Sequence, residues 1–510
     1  MTMSTEPAAP VAAPEQRLHP MSWLFELVAS LRQFIVPLVA LLFFGRGGGN
    51  AYEWWALVGV AVLAVGSVVH YFTYRYRVEE RSLVVRSGLL QRHLREIPFA
   101  RIQNVALHQT LLHRLFGVAE VRLESAGGHK PEAQMKVLRL DDAMALEALV
   151  RRRGSAQAVE AAAPTGDGTM PATAAGARTL LELPLGEVLR LGLVSNRGLL
   201  VLGGAFAAST QFDSRLVGNL MEYWGQSLFG WAESHDFAIA DYLLAAGTLV
   251  VAFLALMRVL SVVLALLQFF GFRLVEEGRR LTAERGLLSR LRTSVPRRRI
   301  QAWTLEEGVV HRLLRRRSLH VDTATGTGDG GEQRGLRELA PIATPDACDA
   351  LVRHLLPRAA WPMQSWAPVH RLAWLRLATC GTLVALLAAV LLSLRFGAWG
   401  LLALAWIPWS VFAARRHAAR AGFARDHALV AWRAGWWSRH WRFAEIDKLQ
   451  VLQLSRSPLD RLYGMATLHL DTAGAGAFGP PLRLRYLREE DARALHRSLG
   501  AEVARRKLRW

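Results

Sequence analysis

Cysteine is nearly absent: Cys348 and Cys380 are the two in 510 residues. So sparse a pair builds neither a disulfide framework nor a paired-Cys metal site. Lysine is almost as rare, with Lys130, Lys136, Lys448 and Lys507 set against an Arg-dominated total of 62 basic residues. No HExxH, P-loop or GxSxG spacing occurs, so the chemistries those spacings serve are not indicated. "GTGDGG" is Gly-rich but precedes no helix with Lys-Ser/Thr, and the histidines are scattered. The first twenty residues lack a basic region running straight into an apolar core. Residues 1–21 read as a disordered tail, and the span after them as uncleaved.

What is present is apolar. Hydrophobic residues make up 52% and mean hydropathy is +0.18, yet 20% of residues are charged. The chain therefore mixes membrane spans with water-exposed parts. The net charge of +20 follows from Arg held on one side of a bilayer, with coding bias adding to the skew.

Six apolar stretches come as three close pairs, near 31–45 and 54–74, 192–211 and 242–270, 373–394 and 398–414. Each approaches the length that about 30 Å of hydrocarbon demands. The loop inside the second pair is acidic, with Asp213, Glu222, Glu233, Asp236 and Asp241 against Arg215. Arg-rich segments such as "YRYRVEERSLVVRSG" and "ARRHAARAGFARD" follow the pairs. The positive-inside rule puts both termini and the polar segments in the cytoplasm, and the acidic loop opposite. Arg32 and Arg197 occupy matching places near the starts of spans one and three, where their side chains suit the membrane interface.

Between the pairs one phrase returns. "RIQNVALHQTLLHRLFG" starts at 101, "RIQAWTLEEGVVHRLLR" at 299 and "KLQVLQLSRSPLDRLYG" at 448. From Gly88, Gly286 and Gly435 the copies align without a gap, matching Gln103 with Gln301 and Gln450, and Arg114 with Arg312 and Arg461. Acidic residues match as Glu124, Asp322 and Asp471. One structural unit was duplicated. Within a copy, short alternating runs predict strands. The Gly starting the match marks a hairpin turn. An amphipathic helix closes each copy, near 140–153, 344–356 and 488–506. The expected order is a tail (1–21), hairpin 1 (22–75), domain 1 (76–153), a flexible linker (154–180), hairpin 2 with its acidic outer loop (181–271), domain 2 (272–357), hairpin 3 (366–415) and domain 3 (416–506).

Two spans, then Gly-Leu-Leu, then Arg-Ile-Gln, then Arg-Leu-x-Gly, then a strand ending in an acidic residue before Ser/Thr-Ala: this pattern resembles the bacterial pleckstrin-homology-like (PH-like) domain, type 2. Nearly the whole chain resembles the three-copy, YdbT-like membrane proteins of that family. The resemblance implies small, partly open β-barrels or sandwiches, each with a C-terminal helix, on six membrane spans in three hairpins. It implies no catalytic role and no cofactor. Two departures stand out: Arg315 replaces Gly117 and Gly464, and Glu445 replaces Pro98 and Pro296.

Arg114, Arg312 and Arg461, with the basic Arg101, Arg299 and Lys448 two residues before the repeated Gln, invite a lipid-headgroup reading, because guanidinium forks suit phosphate. A structural reading competes, with each Arg bracing its short helix against the matched acid and each Gln bonding backbone. Duplication preserves fold-determining residues, which favours the second. "WRAGWWSRHWRF" (432–443) interleaves Trp with basic residues. Membrane-interface contact by Trp436 and Trp437 explains it better than nucleic acid. The expectation is a non-enzymatic inner-membrane protein that assembles partners or senses lipid, binding no nucleic acid. Its expected partners are the bilayer and a protein partner or another copy of itself. The alternative is a transporter or lipid-handling protein, with Arg258 as its mid-span charge.

Overall fold

The computed structural model describes residues 16–28, 51–88, 92–125, 133–160, 177–212, 239–323, 336–472 and 481–505, and singly 218, 222, 223 and 226. Each copy supplies seven strands. The first copy has β1 (Gln16–Arg17), β2 (Arg75–Val78), β3 (Ser82–Ser87), β4 (His93–Pro98), β5 (Ile102–Gln109), β6 (Val118–Ser125) and β7 (Ala133–Arg139). The second has β8 (Arg178–Glu182), β9 (Arg273–Glu277), β10 (Arg280–Arg285), β11 (Arg290–Pro296), β12 (Ile300–Glu307), β13 (Arg317–Thr323) and β14 (Glu338–Ala343). The third has β15 (Ala367–Pro368), β16 (Gly422–Arg425), β17 (Leu429–Ala434), β18 (Arg439–Glu445), β19 (Leu449–Ser455), β20 (Met465–Thr472) and β21 (Leu482–Arg488).

The first strand of each copy precedes its apolar pair. β1 pairs with β2, β8 with β9, and β15 with β16. Residues read as tail, linker and hairpin thus contribute a strand, so each copy begins before its membrane segment.

The chain divides into two units, Met1–Ala175 with Ser195–Phe272 and Glu284–Ser294, and Gly176–Val194 with Arg273–Ala283 and Val295–Trp510. In the first, the sheet β1-β2-β3-β4 faces β5-β6-β7. Tyr76, Leu83, Val85 and Ile97 meet Val105, Val121, Leu123 and Met135 in one core, closed by Ala143, Leu146 and Val150 of the helix Leu140–Glu160. Alternate residues of β3 point inward because strand periodicity is two. Each buried aliphatic side chain contributes about 1.5–3 kcal/mol.

In the second unit, β19-β20-β21 packs against the sheet carrying β17 and β18, and the helix Glu489–Ala504 closes the core with Ala492, Leu495 and Leu499. The helix Pro345–Leu355 caps β13 and β14, started by Thr344, whose hydroxyl accepts from the Ala347 N–H at 3.3 Å. Sheets packed on a closing helix are the arrangement that the resemblance implied. The expected hairpin turns are present: Gly286 and Gly435 sit at φ 114° and 83°. A Cβ at either would stand 1.8 Å from a carbonyl oxygen, of Ser289 or Ser438, so no other residue fits.

Six spans are not what the described residues hold. Two segments among them are long and apolar enough to cross a membrane, Leu243–Phe269 and Ala373–Arg420. The second contains two helices, Ala373–Phe396 and Trp406–Arg420, joined by a tighter 3-10 stretch from Gly397 to Ala405, so one continuous segment covers both spans of the third pair. Ala51–Thr73 is a 23-residue helix, Arg197–Phe212 a 16-residue one, and residues 31–45 lie outside the described residues. Leu249 and Leu394 are 71% and 81% exposed, in keeping with an apolar solvent around these helices.

Candidate functional site: the joints between copies

The repeated phrase resolves into three devices. Its basic residue ends a 3-10 turn: Phe99–Arg101, Arg297–Arg299 and Ile446–Lys448. The residue before each turn is Pro98, Pro296 or Glu445, at φ −59°, −65° and −65°, so Glu445 reproduces the proline conformation. Burial pushes the Glu445 carboxyl up. Arg101 is exposed. The Arg299 guanidinium falls to about 10 through burial and its neighbour Arg298. Lys448 Nζ donates to Arg298 O at 2.7 Å.

The glutamine is a β-bulge. The register of β5 with β6 skips between Ile102 and Asn104, that of β12 with β13 between Ile300 and Ala302, and that of β19 with β20 between Leu449 and Val451. The residue passed over is Gln103, Gln301 or Gln450. Gln301 is buried, and its Nε2 donates to Arg299 O at 3.3 Å; Gln450 is exposed. A bulge kinks and twists its strand, which turns the sheet toward barrel closure.

The third device is the arginine of the short helix. Arg114 Nη1 donates to Leu287 O at 2.8 Å, and Arg312 Nη2 to Trp437 O at 2.9 Å. Leu287 and Trp437 belong to the hairpin turn of the following copy. Arg312 therefore does not brace the matched acid, since Asp322 receives Arg442 instead. The Arg461 side chain is exposed and makes no hydrogen bond or ion pair among the described residues.

These clasps flank a backbone joint. β5 pairs with β11 as Arg290↔Gln109, Leu291↔His108, Arg292↔Leu107, Thr293↔Ala106 and Ser294↔Val105. β12 pairs with β18 as Arg439↔Glu307, His440↔Glu306, Trp441↔Leu305, Arg442↔Thr304 and Phe443↔Trp303. In repeat positions the two registers are identical. At the second joint Arg442, 2% exposed, donates to Thr304 Oγ1 at 2.7 Å and pairs with Asp322. Phe443 stacks on Trp361 and Trp303 at 4.3 and 6.3 Å. Sequence reading missed Arg442 and Asp322 as partners. Nothing in the stretch signalled it: alternation sets Arg442 on the face opposite Trp441 and Phe443, the pattern of a charge facing solvent.

The other expected positions lie elsewhere. Arg197 bonds Gln268 and covers the Phe269 ring at 4.6 Å, and Arg32 lies outside the described residues. Trp436 packs on Trp409 and Phe412 of an apolar helix, while Trp437 is 60% exposed. Arg258 donates to Ser195 O and Asn196 Oδ1 at 3.2 and 3.3 Å. The outer face of β2 to β4 in the first copy carries a cleft of about 400 Å³ lined by Arg75, Arg77, Arg86 and Arg92 with Tyr76, Val84 and Leu94. Among the described residues no group of His, Cys, Asp and Glu is arranged to hold a metal ion. The joints can hold copies in register.

The bacterial PH domain family matches residues 27–154, 234–357 and 372–503. Among curated proteins, the UPF0699 transmembrane protein YdbT of Bacillus subtilis (strain 168) is 20% identical over 404 residues, covering 77% of this chain and 79% of that protein. Neither description names a catalytic activity. No solved structure matches.

Proposed function

The chain belongs to the bacterial PH domain family, and from that premise we propose that it is a non-enzymatic integral protein of the inner membrane that scaffolds protein assembly. Three hairpins, six spans in all, anchor it, with both termini and the PH-like domains in the cytoplasm. The transmembrane description of its Bacillus relative and the apolar segments Leu243–Phe269 and Ala373–Arg420 support the anchoring. The observation that carries the scaffold reading is the identical register of the two joints. Residues kept through duplication fasten domain to domain, and a series of domains fastened by their edges is a surface for assembly.

Gentle extraction of the full chain followed by mass spectrometry tests this. A protein retained in stoichiometric amount is expected. Loss of a defined turnover in a point variant overturns the reading. Cysteine labelling from either side of the membrane checks the topology: positions beside Gly88 and Gly435 are expected to react from the cytoplasm.

The arginine cleft favours a second reading, lipid sensing. An Arg near an anionic leaflet gains about 1 kcal/mol. Co-purified anionic lipid that is lost on Arg75→Ala with Arg86→Ala supports it; lipid unchanged by those substitutions removes it.

A further inference from the structure

Two strands end the series of joints. Among the described residues, β4 is the last strand of its sheet, and β19 is the last strand of its own. Both are equivalents of strands that are covered at the joints. β11 and β18 bury Thr293 to Val295 and Arg442 to Ala444, whereas His93 to Glu96 of β4 are exposed, Leu94 at 71%. β12 buries Ile300 to Leu305, whereas Val451 and Gln453 of β19 are exposed. An edge strand with free backbone groups is a template for another strand.

The side chains at these two edges match each other. The buried Arg442–Thr304–Asp322 set of the second joint has no counterpart at the first, where Thr293, Ala106 and Glu124 stand. Its counterpart falls at the open edges. Arg95 of β4 stands at the Arg442 position, and Gln453 and Asp471 at those of Thr304 and Asp322. Asp471 is exposed and has no partner among the described residues. The Arg461 side chain likewise meets no carbonyl among the described residues.

We infer that β19 of one chain pairs antiparallel with β4 of a second copy, in the register of the internal joints, with Asp471 receiving Arg95. The pairs become Leu454↔Leu94, Gln453↔Arg95 and Ser455↔His93. A like-charged pair, Arg456 with Arg92, falls at the ladder's end, where Arg456 is already held by Glu489. The contact is head-to-tail, so it can repeat along a row of chains. This inference rests on the scaffold reading and names a second copy as the partner.

The test uses full chains in native membranes. Two differently tagged chains are co-expressed, one with His93→Cys and the other with Ser455→Cys, and the membranes are oxidised. A disulfide between the tags is expected in the mixture and in neither variant alone. Chains with only the native cysteines are the background; burial pushes the Cys348 thiol up to about 12. Arg95→Glu in the His93→Cys chain is expected to cut the yield about fivefold, the worth of a modest ion pair. Asp471→Arg in the partner should restore it, which a misfolded variant cannot do. No cross-chain disulfide, or no rescue, overturns the pairing. A cross-link from Ser455→Cys to a different protein also overturns it and leaves the scaffold reading standing. Purification that retains no protein at all counts against the scaffold itself.

Discussion

The two joints share a register, a hairpin glycine and a clasping arginine, and differ in the side chains across the ladder. At the first, Ala106 faces Thr293, and Arg292 reaches Glu147 of the capping helix at 3.7 Å. At the second, a buried arginine is pinned by a hydroxyl and a carboxylate, Phe443 stacks on two tryptophans, and Glu307 takes Arg317 and Arg439 at 2.9 and 3.4 Å. The backbone ladder, the Gly-marked hairpin and the clasping arginine suffice to set the register. Side chains across the joint were then free to diverge in strength.

The sharpest way to break that comparison is Arg442→Ala. Removing the buried member of the pair costs about 3–5 kcal/mol, because Thr304 stays buried and Asp322 half-buried without it. Thr293→Ala at the matching place is expected to cost under about 1 kcal/mol. Thermal unfolding in detergent reads both, and equal losses would mean that the joints are equally loaded. Acid should act on the first copy instead. Burial alone would raise the Glu120 carboxyl, but His108, Arg122 and Gln134 outweigh it and hold it at about 2, below its ordinary 4.5. Its contribution, about 3 kcal/mol, is therefore complete above pH 4.5 and lost as the pH falls toward 2. Hydrogen exchange should show β6 losing protection between pH 5 and pH 2.5, and Glu120→Gln should flatten that response.

Arg114→Ala and Arg312→Ala should cost alike, about 1 kcal/mol each, since both release a backbone carbonyl near solvent. Arg461→Ala should leave the stability of the isolated chain unchanged. Smallest is Arg315→Gly. Arg315 takes φ 52° where Gly117 and Gly464 take 63° and 66°. The strain of about 1–2 kcal/mol in a non-Gly residue is partly offset by the entropy of a new glycine, leaving a gain of about 0.5 kcal/mol. A lowered melting temperature would show that the Arg315 side chain contributes more than its backbone costs.

Much of the domain was legible in the residues. The threefold match, the hairpin glycines and the closing helices follow from local chemistry that one segment carries by itself. The role of the phrase was not legible. Gln103 and its equivalents mark a bulge, which is a relation between two strands. Arg312 bonds a carbonyl in the next copy, and a carbonyl has no letter in the sequence. For the same reason β1, β8 and β15 escaped notice: a short strand before an apolar segment signals nothing until its distant partner is beside it. Arg442 had the same fault. It read as one of many surface charges in a Trp-rich stretch, and only the strand of the preceding copy covers it.

The sequence by itself determined that a small PH-like unit was copied three times and interleaved with apolar segments, because duplication and hydrophobic patterning are properties of side chains in order. Only the tertiary structure decided that the copies are joined edge to edge, since a β-sheet edge is recognised through backbone N–H and C=O groups that every residue but proline carries alike.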